Sequence, residues 1–326
     1  MKVLIADKFE EQGLADLRNV GCDVTYDPSL ADAALTEALA ETGCEVLLVR
    51  STRVRREMLA RAPHLKLIVR AGSGYDTIDV AAAAERGVRV CNCPGMNSVA
   101  VAELTIGLMI ALDRRIVDET DDLRRGVWNK KEYSKARGLK GRTLGIVGLG
   151  RIGYEVARRA AAFDMRLLYS DVVSRDDVER ELDIRKVPFE QLLRESDFVT
   201  VHVPGGATTE HLIGDRELGQ MKPTAFLLNC SRGGIVDEKA LSRAVAEGTI
   251  AGAALDVYEM EPGANDTRFA DPIKDAPRVY GTHHVGASTE QAQLAVAEEA
   301  VRIIKCFKET GEVIHCVNAP HACATA

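Results

Sequence analysis

Residues 142–153, RTLGIVGLGRIG, join a short apolar strand to a glycine-rich turn, and this stretch decides the fold. Gly148, Gly150 and Gly153 follow the strand TLGIV in the spacing GxGxxG and open the helical segment RIGYEVARRAAAF. In a strand–turn–helix context the first two glycines permit a tight turn and the close approach of a pyrophosphate. The third lets the helix pack on the strand, and the helix N-terminus meets the negative charge. The pattern predicts a dinucleotide-binding unit.

An acidic residue at the end of the next strand supports this interpretation. Asp171 ends the segment LLYSD, about 20 positions after the glycines, where a carboxylate accepts hydrogen bonds from the adenosine ribose. Its charge repels a 2′-phosphate, so the sequence predicts NAD rather than NADP, and Arg175 close by softens that preference. The alternative is a glycine turn in an α/β domain that binds no ligand.

Short apolar strands alternate with helical segments on both sides of the glycine turn. Such strands are typical of parallel sheets covered by helices on both faces. Since the turn begins only near residue 148, a complete α/β unit precedes it, followed by a long apolar helix over Ser98–Leu112. A last amphipathic helix is predicted over Thr289–Thr310, with a capping box from Ser288 and Gln291 at its start. The predicted strands are KVLIAD, CDVTYD, EVLLVR, LKLIVRAG and VRVCNC in the first unit, and TLGIV, LLYSD, DFVTVHVP, TAFLLNCS, IAGAALDV and RVYGTHH in the second.

The composition limits the classes of function. A net charge of -7 argues against a general nucleic-acid-binding protein. The N-terminal apolar run is too short for a signal peptide, and no stretch reaches the length of a membrane span, so we expect a cytoplasmic protein without a membrane partner. The eight cysteines show no paired CxxC spacing and predict no metal site, while Cys91 and Cys93 share one face of a strand as buried thiols.

Seven segments resemble, in order and spacing, the D-isomer-specific 2-hydroxyacid dehydrogenases. They are VRSTRV, VRAGSGYDTID, NCPGMNSVAVAEL, LKGRTLGIVGLGRIG, NCSRGGIVDEKAL, AGAALDVYEMEP and HVGASTEQAQ. The resemblance implies an α/β fold of two doubly wound parallel-sheet domains. A Rossmann NAD domain, residues 98–287, is inserted into a flavodoxin-like substrate domain, residues 1–97 and 288–326.

The resemblance implies a catalytic trio of Arg232, Glu261 and His284. Hydride transfer from C2 of a 2-hydroxy acid to NAD needs a base for the hydroxyl proton, and an imidazole beside a carboxylate can take and return it. An arginine fork grips the α-carboxylate. Taken singly, the three are better explained as a solvated arginine, an acidic surface turn and a strand-end histidine. Together, each in a matching motif, they favour chemistry.

Two histidines stand side by side in VYGTHHVGAST, residues 279–289. The continuation HVGAST selects His284 as the catalytic one, and alternation along a strand end would direct the two side chains to opposite sides. His283 occupies the place where relatives have proline, and we expect it to have no catalytic role. Two further departures from the family are GGATTE after HVP, near the site, and Asp164 where glycine is common.

The resemblance also implies contacts with the cofactor, NAD. Asp256 in ALDV matches the residue that holds the nicotinamide carboxamide. The predicted NAD-binding residues are Gly148, Gly150, Arg151, Ile152, Gly153, Asp171, Val203, Pro204, Cys230, Ser231, Asp256 and Gly286.

A small anionic 2-hydroxy or 2-keto acid is the predicted substrate. Small residues in RAGSG leave backbone N–H groups available to a carboxylate, and arginines at strand ends suit a phosphate better than an uncharged side chain. The predicted substrate-binding residues are Arg50, Ser51, Arg70, Ser73, Gly74 and Asn97. Within the family, the chain is most similar to the members that oxidise D-3-phosphoglycerate to 3-phosphohydroxypyruvate, the entry to serine biosynthesis.

Two alternatives stay open beside that activity. One is a hydroxypyruvate or glyoxylate reductase, or another D-2-hydroxyacid dehydrogenase, with the same trio. The other is an NAD-sensing binding protein like the C-terminal binding protein corepressors. Family habit implies a homodimer or homotetramer held through residues 98–137, and the chain's end at residue 326 leads us to expect no C-terminal regulatory domain.

Overall fold

The structure is a computed structural model that describes residues 1–262 and 267–319. The chain forms two compact units, one from Met1–Asn97 with Ser288–Ala326 and the other from Ser98–Ala287. Residues 320–326, which the sequence assigns to the first unit, lie outside the described residues. That the first unit binds substrate stays a prediction.

The strands and helices alternate along most of the chain. The strands are β1 (Lys2–Ile5), β2 (Asp23–Tyr26), β3 (Val46–Val49), β4 (Leu67–Arg70), β5 (Arg89–Asn92), β6 (Thr143–Val147), β7 (Arg166–Ser170), β8 (Arg185–Lys186), β9 (Phe198–Val201), β10 (Phe226–Asn229), β11 (Gly252–Leu255) and β12 (Val279–Gly281). The helices are α1 (Glu11–Asn19), α2 (Asp32–Thr42), α3 (Arg56–Ala60), α4 (Val80–Glu85), α5 (Ser98–Arg114), α6 (Ile116–Arg124), α7 (Lys130–Tyr133), α8 (Arg151–Ala162), α9 (Asp176–Leu182), α10 (Phe189–Glu195), α11 (Asp215–Leu218), α12 (Glu238–Ala246) and α13 (Glu290–Thr310), with a 3-10 helix at Pro272–Asp275.

The first unit contains a parallel sheet in the order β2-β1-β3-β4-β5. This is the strand order of flavodoxin-like sheets, so the predicted fold of this unit is confirmed. The central strands are apolar throughout; β3 reads VLLV and is buried at every position. Helix α13 returns from the far end of the sequence and buries Ala297, Ala300 and Ile304 in the same core as β1 and β4. The pattern of continuous apolar strands therefore correctly indicated a sheet covered on both faces.

The second unit contains a parallel sheet in the order β12-β11-β10-β9-β6-β7-β8. Counted from β6, this is the Rossmann order with one further strand at an edge, as predicted. The helices α5 and α8 pack together over one face, where α8 buries Val156, Ala157 and Ala160. Helices α10 and α12 cover the other face with Leu192, Leu241 and their neighbours.

One local prediction needs correction, and one strand was not predicted. Helix α13 begins with Thr289 as its N-cap, whose hydroxyl accepts the N–H of Ala292, and Ser288 lies outside the helix. Two adjacent hydroxyl residues made the choice ambiguous, since both can cap. The two-residue strand β8 was not predicted, because Arg185 and Lys186 carry no apolar pattern.

Candidate active site

The glycine loop has the geometry that a dinucleotide requires. Gly148 has a φ of 93°, and a Cβ there would lie 2.8 Å from the carbonyl oxygen of His202. A Cβ at Gly153 would lie 2.2 Å from the carbonyl oxygen of Gly148, so the start of α8 packs directly on the loop. At Gly150, by contrast, a Cβ would point into open space among the described residues. Gly148 and Gly153 are thus needed by the protein itself, and Gly150 keeps space for a ligand.

The start of α8 suits the negative charge of a pyrophosphate. Gly150 is its N-cap in extended conformation, and helix N-termini present backbone N–H groups without intrahelical partners. The space beside Gly150 lies at this end of the helix. The predicted residues Arg151 and Ile152 occupy the first turn. The loop therefore fits a dinucleotide.

Asp171 lies immediately after β7 and anchors the glycine loop. Its carboxylate accepts the N–H of Leu149 at 2.7 Å and that of Val173 at 3.0 Å. Each carboxylate oxygen can accept a second hydrogen bond, so both remain able to accept from ribose hydroxyls. Arg175 donates to the carbonyl oxygen of Leu149 at 3.2 Å and pairs with Asp177 at 3.1 Å.

The three members of the trio lie on the loops after β10, β11 and β12, and these strands are neighbours in the sheet. Arg232 follows β10, Glu261 follows β11 and His284 follows β12. Parallel strands end at the same edge of a sheet, so these loops converge. The convergence is closest for His284 and Glu261, where Nδ1 lies 2.8 Å from Oε2.

The His284–Glu261 pair is held on both sides. Glu261 accepts the N–H of Tyr258 with its other oxygen at 3.1 Å, and its side chain is 34% exposed against 47% for His284. Burial acts to raise the pKa of Glu261, but the hydrogen bond and charge of His284, the Tyr258 N–H and the charge of Arg232 outweigh it and lower that pKa. Glu261 therefore stays an acceptor, and the pair leaves Nε2 of His284 for a substrate.

Arg232 is supported by its own loop. Its Nη1 donates to the carbonyl oxygen of Ser231 at 2.7 Å, and Asn229 Nδ2 donates to the carbonyl oxygen of Arg232 at 2.9 Å. A Cβ at Gly205 would lie 3.1 Å from the aliphatic stem of Arg232. Gly205 is the first residue of the segment GGATTE, so this departure from the family lies beside Arg232.

The prediction that strand alternation separates His283 from His284 is wrong. Strand β12 ends at Gly281, and the chain bends at His284, whose φ is 51°. Left-handed backbone at a non-glycine residue is uncommon and is found at sites where the surroundings hold it. Here Asp256 holds the loop. Its buried carboxylate accepts the Thr282 hydroxyl at 2.6 Å and the N–H groups of Val285 and Gly286 at 2.9 and 2.8 Å.

The other predicted cofactor residues lie around the same edge. The Cys230 thiol is buried, which raises its pKa to about 12, and Ser231 donates its hydroxyl to Asn229 Oδ1 at 2.9 Å. Val203 follows β9, with Pro204 next to it, and packs beside Gly148. The N–H of Gly286 is used by Asp256, so Gly286 supports the loop and leaves that donor no role toward a ligand.

The predicted substrate residues of the first unit lie at or after the ends of β3, β4 and β5, again at the carboxyl ends of neighbouring strands, and Arg70 is the last residue of β4. Asp7, after β1, accepts the N–H groups of Arg50, Ser51 and Thr52 at 2.7, 3.1 and 3.0 Å. It also accepts the Ser51 hydroxyl at 3.0 Å. Asp7 thus shapes this loop at the switch point between β1 and β3, where such sheets bind ligands.

Ser73 and Asn97 are brought together. The Ser73 hydroxyl donates to Asn97 Oδ1 at 2.7 Å and accepts the N–H of Gly95 at 3.3 Å, while Asn92 Nδ2 donates to the Ser73 carbonyl oxygen at 2.6 Å. The loop is therefore ordered before any substrate arrives. Gly74 is the next residue of the same loop.

Arg70 folds over the same loop. Its Nη1 lies 3.5 Å from the carbonyl oxygen of Ala71, and a Cβ at Gly72 would lie 1.5 Å from that nitrogen. Gly72 has a φ of 148°. Arg50 donates from Nη1 to Gln293 Oε1 at 3.2 Å. Both guanidinium groups thus stand at the carboxyl-end edge of the sheet.

Comparison with known proteins matches residues 106–286 to the NAD binding domain of the D-isomer specific 2-hydroxyacid dehydrogenases. The chain belongs to this family. The family, the fold and the cofactor NAD predicted from the sequence are therefore confirmed.

Relatives of the chain carry different substrate names. A D-3-phosphoglycerate dehydrogenase of Methanocaldococcus jannaschii is 42% identical over 94% of this chain, which spans 58% of that relative's length. A glyoxylate reductase of Thermococcus litoralis is 39% identical over 96% of this chain and 95% of its own. The crystal structure of a protein from Thermus thermophilus matches with a TM-score of 0.87 at 34% identity, covering 97% of this chain and 100% of that one.

Several residues that support the site were missed in the sequence. Asn229 and Tyr258 stand inside the matched segments NCSRGG and YEMEP, so proximity to the trio was the available signal. The Tyr258 hydroxyl donates to the carbonyl oxygens of Leu255 and Thr282 and joins two site loops. No sequence pattern pointed to Asp7, because the residues that donate to it lie more than 40 positions away.

No helix in residues 1–262 and 267–319 is long and apolar enough to cross a membrane. Within the same ranges, no three His, Cys, Asp or Glu side chains are grouped to hold a metal ion. Cys91 and Cys93 are buried thiols in one core cluster, as predicted.

Proposed function

We propose that the chain catalyses the NAD-dependent oxidation of D-3-phosphoglycerate to 3-phosphohydroxypyruvate, the entry to serine biosynthesis. The observation that carries the chemistry is the 2.8 Å contact between His284 Nδ1 and Glu261 Oε2. The phosphoglycerate dehydrogenase relative at 42% identity supports the substrate. So do the arginines at the strand ends of the first unit.

The proposed base is His284 in its neutral form. Because Glu261 has a lowered pKa and accepts only, Nδ1 carries the proton and Nε2 presents a lone pair. Nε2 takes the hydroxyl proton of the substrate as the C2 hydride leaves, and Glu261 stabilises the imidazolium that forms. In reverse, the same Nε2 returns the proton to the carbonyl oxygen.

Bound NAD⁺ supplies the acceptor for the hydride. Gly148, Gly150 and the first turn of α8 would hold its pyrophosphate, and Asp171 its adenosine ribose. Asp256 already accepts three donors of its own loop, so we propose that its main contribution is to hold the backbone that carries His284. Arg232 would grip the α-carboxylate and polarise the carbonyl.

The anionic groups of the substrate are assigned to the first unit as well. We propose that backbone N–H groups of Ser73 and Gly74 bind a carboxylate, in a loop that Asn97 keeps ordered. Arg50 and Arg70 would bind the phosphate. The Ser51 hydroxyl is held by Asp7, so Ser51 contributes chiefly to the shape of its loop.

A glyoxylate or hydroxypyruvate reductase is the second candidate. It is favoured by the Thermococcus litoralis relative, because this chain covers 95% of that protein's length against 58% of the phosphoglycerate dehydrogenase. A protein that only senses NAD would have no use for the His284–Glu261 pair, so a corepressor-like function ranks below both.

The deciding experiment compares substrates side by side. NAD reduction is measured with D-3-phosphoglycerate, D-glycerate and D-lactate, and NADH oxidation with hydroxypyruvate and glyoxylate, all at one ionic strength. We expect kcat/KM for phosphoglycerate to exceed that for glycerate by about 100-fold or more, since two charge-assisted contacts contribute roughly 1.5–3 kcal/mol each. No advantage for the phosphorylated acid would transfer the proposal to the reductase.

Arginine variants separate phosphate binding from general charge. Arg50→Gln and Arg70→Gln should each lower kcat/KM for phosphoglycerate by about 10-fold or more and leave glycerate nearly unchanged. Arg55→Gln is the matched control, because Arg55 is exposed and pairs at 3.5 Å with Asp32. Equal losses in all three variants would show a long-range effect of charge and no phosphate site.

A homodimer or homotetramer held through residues 98–137 is part of the proposal. Every residue of α6 is exposed or half-buried, Leu123 is exposed, and Trp128 is 80% exposed. Large exposed apolar side chains in one segment mark interaction surfaces. Light scattering should show a smaller mass for Leu123→Lys/Trp128→Glu than for the parent chain, and an unchanged mass would remove this surface from the proposal. The cytoplasmic location stays a prediction.

A further inference from the structure

The turn Tyr258–Glu261, which carries the proposed catalytic carboxylate, is held by a series of acidic side chains. The N–H of Tyr258 donates to Glu261 itself at 3.1 Å. The N–H of Glu259 donates to Glu238 Oε1 at 2.8 Å, and that of Met260 to Asp271 Oδ2 at 3.2 Å. Three successive backbone donors are thus each capped by a carboxyl group.

Glu238 and Asp271 are buried side by side, at 6% and 3% exposure. When Glu238 and Asp271 are both charged, Glu238 Oε2 has no hydrogen-bond donor among the described residues. Two charged carboxylates in contact and away from water are unfavourable, so one proton shared between them is the stable arrangement. Burial, the hydrogen bond with Asp271 and the charges of Asp271 and Glu259 raise the pKa of Glu238 to about 8. A protonated Glu238 can donate this hydrogen bond to Asp271.

The same cluster reaches the loop of Arg232. Glu259 Oε1 accepts the N–H of Glu238 at 3.3 Å and lies 2.9 Å from His211 Nε2, while the His211 N–H donates to the Gly234 carbonyl oxygen at 2.7 Å. A Cβ at Gly233 would lie 1.9 Å from the Tyr258 carbonyl oxygen, so the two loops touch there. The cluster therefore links the loops of two trio members.

We infer that Glu238 and Asp271 are positioning residues that share one proton and hold the Tyr258–Glu261 turn so that Glu261 stays against His284. Neither side chain is assigned a contact with substrate. The inference rests on the proposed dehydrogenase function, and it adds a support for the acid–base pair that acts through the backbone of one turn.

Loss of the shared proton should weaken the support. Ionised Glu238 would face a second full charge on Asp271 and a third on Glu259, and the Glu238–Asp271 hydrogen bond would be lost. Several titratable groups face Glu238 or lie on the elements packed against it. The turn contributes Tyr258 and Glu259, with His211 opposite Glu259, and the 3-10 helix, with its N-cap Asp271, contributes Lys274 and Asp275. Helix α11 carries Asp215, Arg216 and Glu217, and Asp237 and Lys239 lie next to Glu238 at the start of α12. Lys274 pairs with Asp275, Arg216 with Glu217, and Asp215 with Arg243. The neighbouring charges that act on Glu238 are those of Asp271 and Glu259, and both oppose its ionisation.

The test compares Glu238→Ala, Glu238→Gln and the control Glu217→Ala. Glu217 is also a buried carboxylate in this unit, and it also accepts a backbone N–H, that of Gly214. The hydrogen-bond partners of this carboxylate are Gly214 and Arg216, which lie outside the Tyr258–Glu261 turn. Glu238→Ala should lower kcat by about 10–100-fold with the KM for NAD changed less than about 2-fold, because a small misplacement of a catalytic group costs on this order. Glu217→Ala should leave kcat unchanged. Glu238→Gln keeps a neutral donor and should restore kcat to within about 3-fold of the parent.

The pH profile supplies a readout that a merely structural role would not move. The fall of parent kcat on the alkaline side should include the ionisation of Glu238 and should be reduced in Glu238→Gln. This comparison decides the matter even if Glu238→Ala fails to fold. Identical alkaline limbs for the parent and Glu238→Gln would overturn the inference, as would equal kcat for Glu238→Ala and Glu217→Ala.

A spectroscopic readout separates this inference from the proposed function. The ¹⁵N resonances of the His284 ring, assigned with His284→Ala, report the hydrogen bond at Nδ1. They should change in Glu238→Ala and stay as in the parent in Glu217→Ala. A changed ring signal in a protein that oxidises no hydroxy acid would refute the function and keep the positioning role. An unchanged signal would refute the positioning role.

Discussion

His284 combines an uncommon backbone conformation with a fixed set of partners. Its φ of 51° costs about 1 kcal/mol or more for a residue with a Cβ. Asp256 holds the following N–H groups, and Glu261 holds the ring. Asp256 and Glu261 together therefore maintain this conformation. It places the His284 imidazole where a continued strand would not place it.

The two adjacent histidines should differ sharply in their effect on turnover. His284→Ala removes the proposed base, so kcat should fall by about 100–10,000-fold. His283→Ala removes an exposed side chain and should keep kcat within about 2-fold. NAD affinity, measured by calorimetry, should survive in both, since the glycine loop is untouched. Loss of activity in His283→Ala with an active His284→Ala would reverse the assignment.

Asp171 should control the choice between NAD and NADP. Asp171→Ser removes a carboxylate that can accept from the ribose and repel a 2′-phosphate, so the KM for NAD should rise by about 10–100-fold. The kcat/KM for NADP should improve, because Arg175 then faces the phosphate without a competing charge.

Asp177→Ser is the matched control for cofactor choice. It breaks the pair of Arg175 with Asp177 and leaves Asp171 in place. We expect NAD preference to persist in this variant. If Asp177→Ser alone produced efficient use of NADP, the preference would depend on Arg175 and not on Asp171.

At the scale of elements, the glycines of the β6–α8 turn serve different purposes. Gly153→Ala would place a methyl group 2.2 Å from the Gly148 carbonyl oxygen, so helix and loop must separate. We expect a loss of about 1–3 kcal/mol in the free energy of unfolding. Gly150→Ala meets open space and should unfold at nearly the parent midpoint, yet it should weaken NAD binding by about 10-fold or more. Urea titration and calorimetry check the two, and equal effects on stability would contradict the distinction.

The sequence indicated the elements well where the physics is local. The apolar segment TLGIV became β6 at its predicted bounds, and GxGxxG gave the turn and helix start that glycine geometry requires. The end of β12 was not predicted. Asp256 accepts a hydrogen bond from the N–H of Val285, and this contact, which bends the chain after Gly281, joins residues far apart in sequence. No period or spacing reports such a hydrogen bond.

The motifs singled out the three residues of the proposed trio, but not the residues that support them. Arg232, Glu261 and His284 each stand in a recognisable segment, whereas Glu238 reads as an ordinary first-turn residue of α12. Its partner Asp271 lies after a proline-containing segment with no helix or strand pattern. Their contact depends on how the α12 start meets the loop after β11, which only the folded unit defines.

At the scale of the whole molecule, both units use one rule, with functional candidates on loops at the carboxyl ends of parallel strands. In the second unit these loops follow β6, β7, β9, β10, β11 and β12. In the first they follow β1, β3, β4 and β5. Such edges gather loops from distant parts of the chain around a rigid sheet. The same edge also gathers acidic residues, which makes the stability of the protein depend on pH.

Glu238 should give the folding stability a specific pH dependence. Its pKa is raised from 4.5 to about 8, so between these values the folded state keeps a proton that the unfolded state has released. This contribution to the free energy of unfolding therefore falls as pH rises toward 8 and is constant above it. Glu238→Gln lacks the ionisation. The melting temperature of the parent minus that of Glu238→Gln should fall by about 4–8 °C from pH 5 to pH 8.5 in scanning calorimetry, because about 4 kcal/mol of proton linkage is lost over this range. Parallel curves for the two proteins would show that Glu238 does not hold its proton in the folded state.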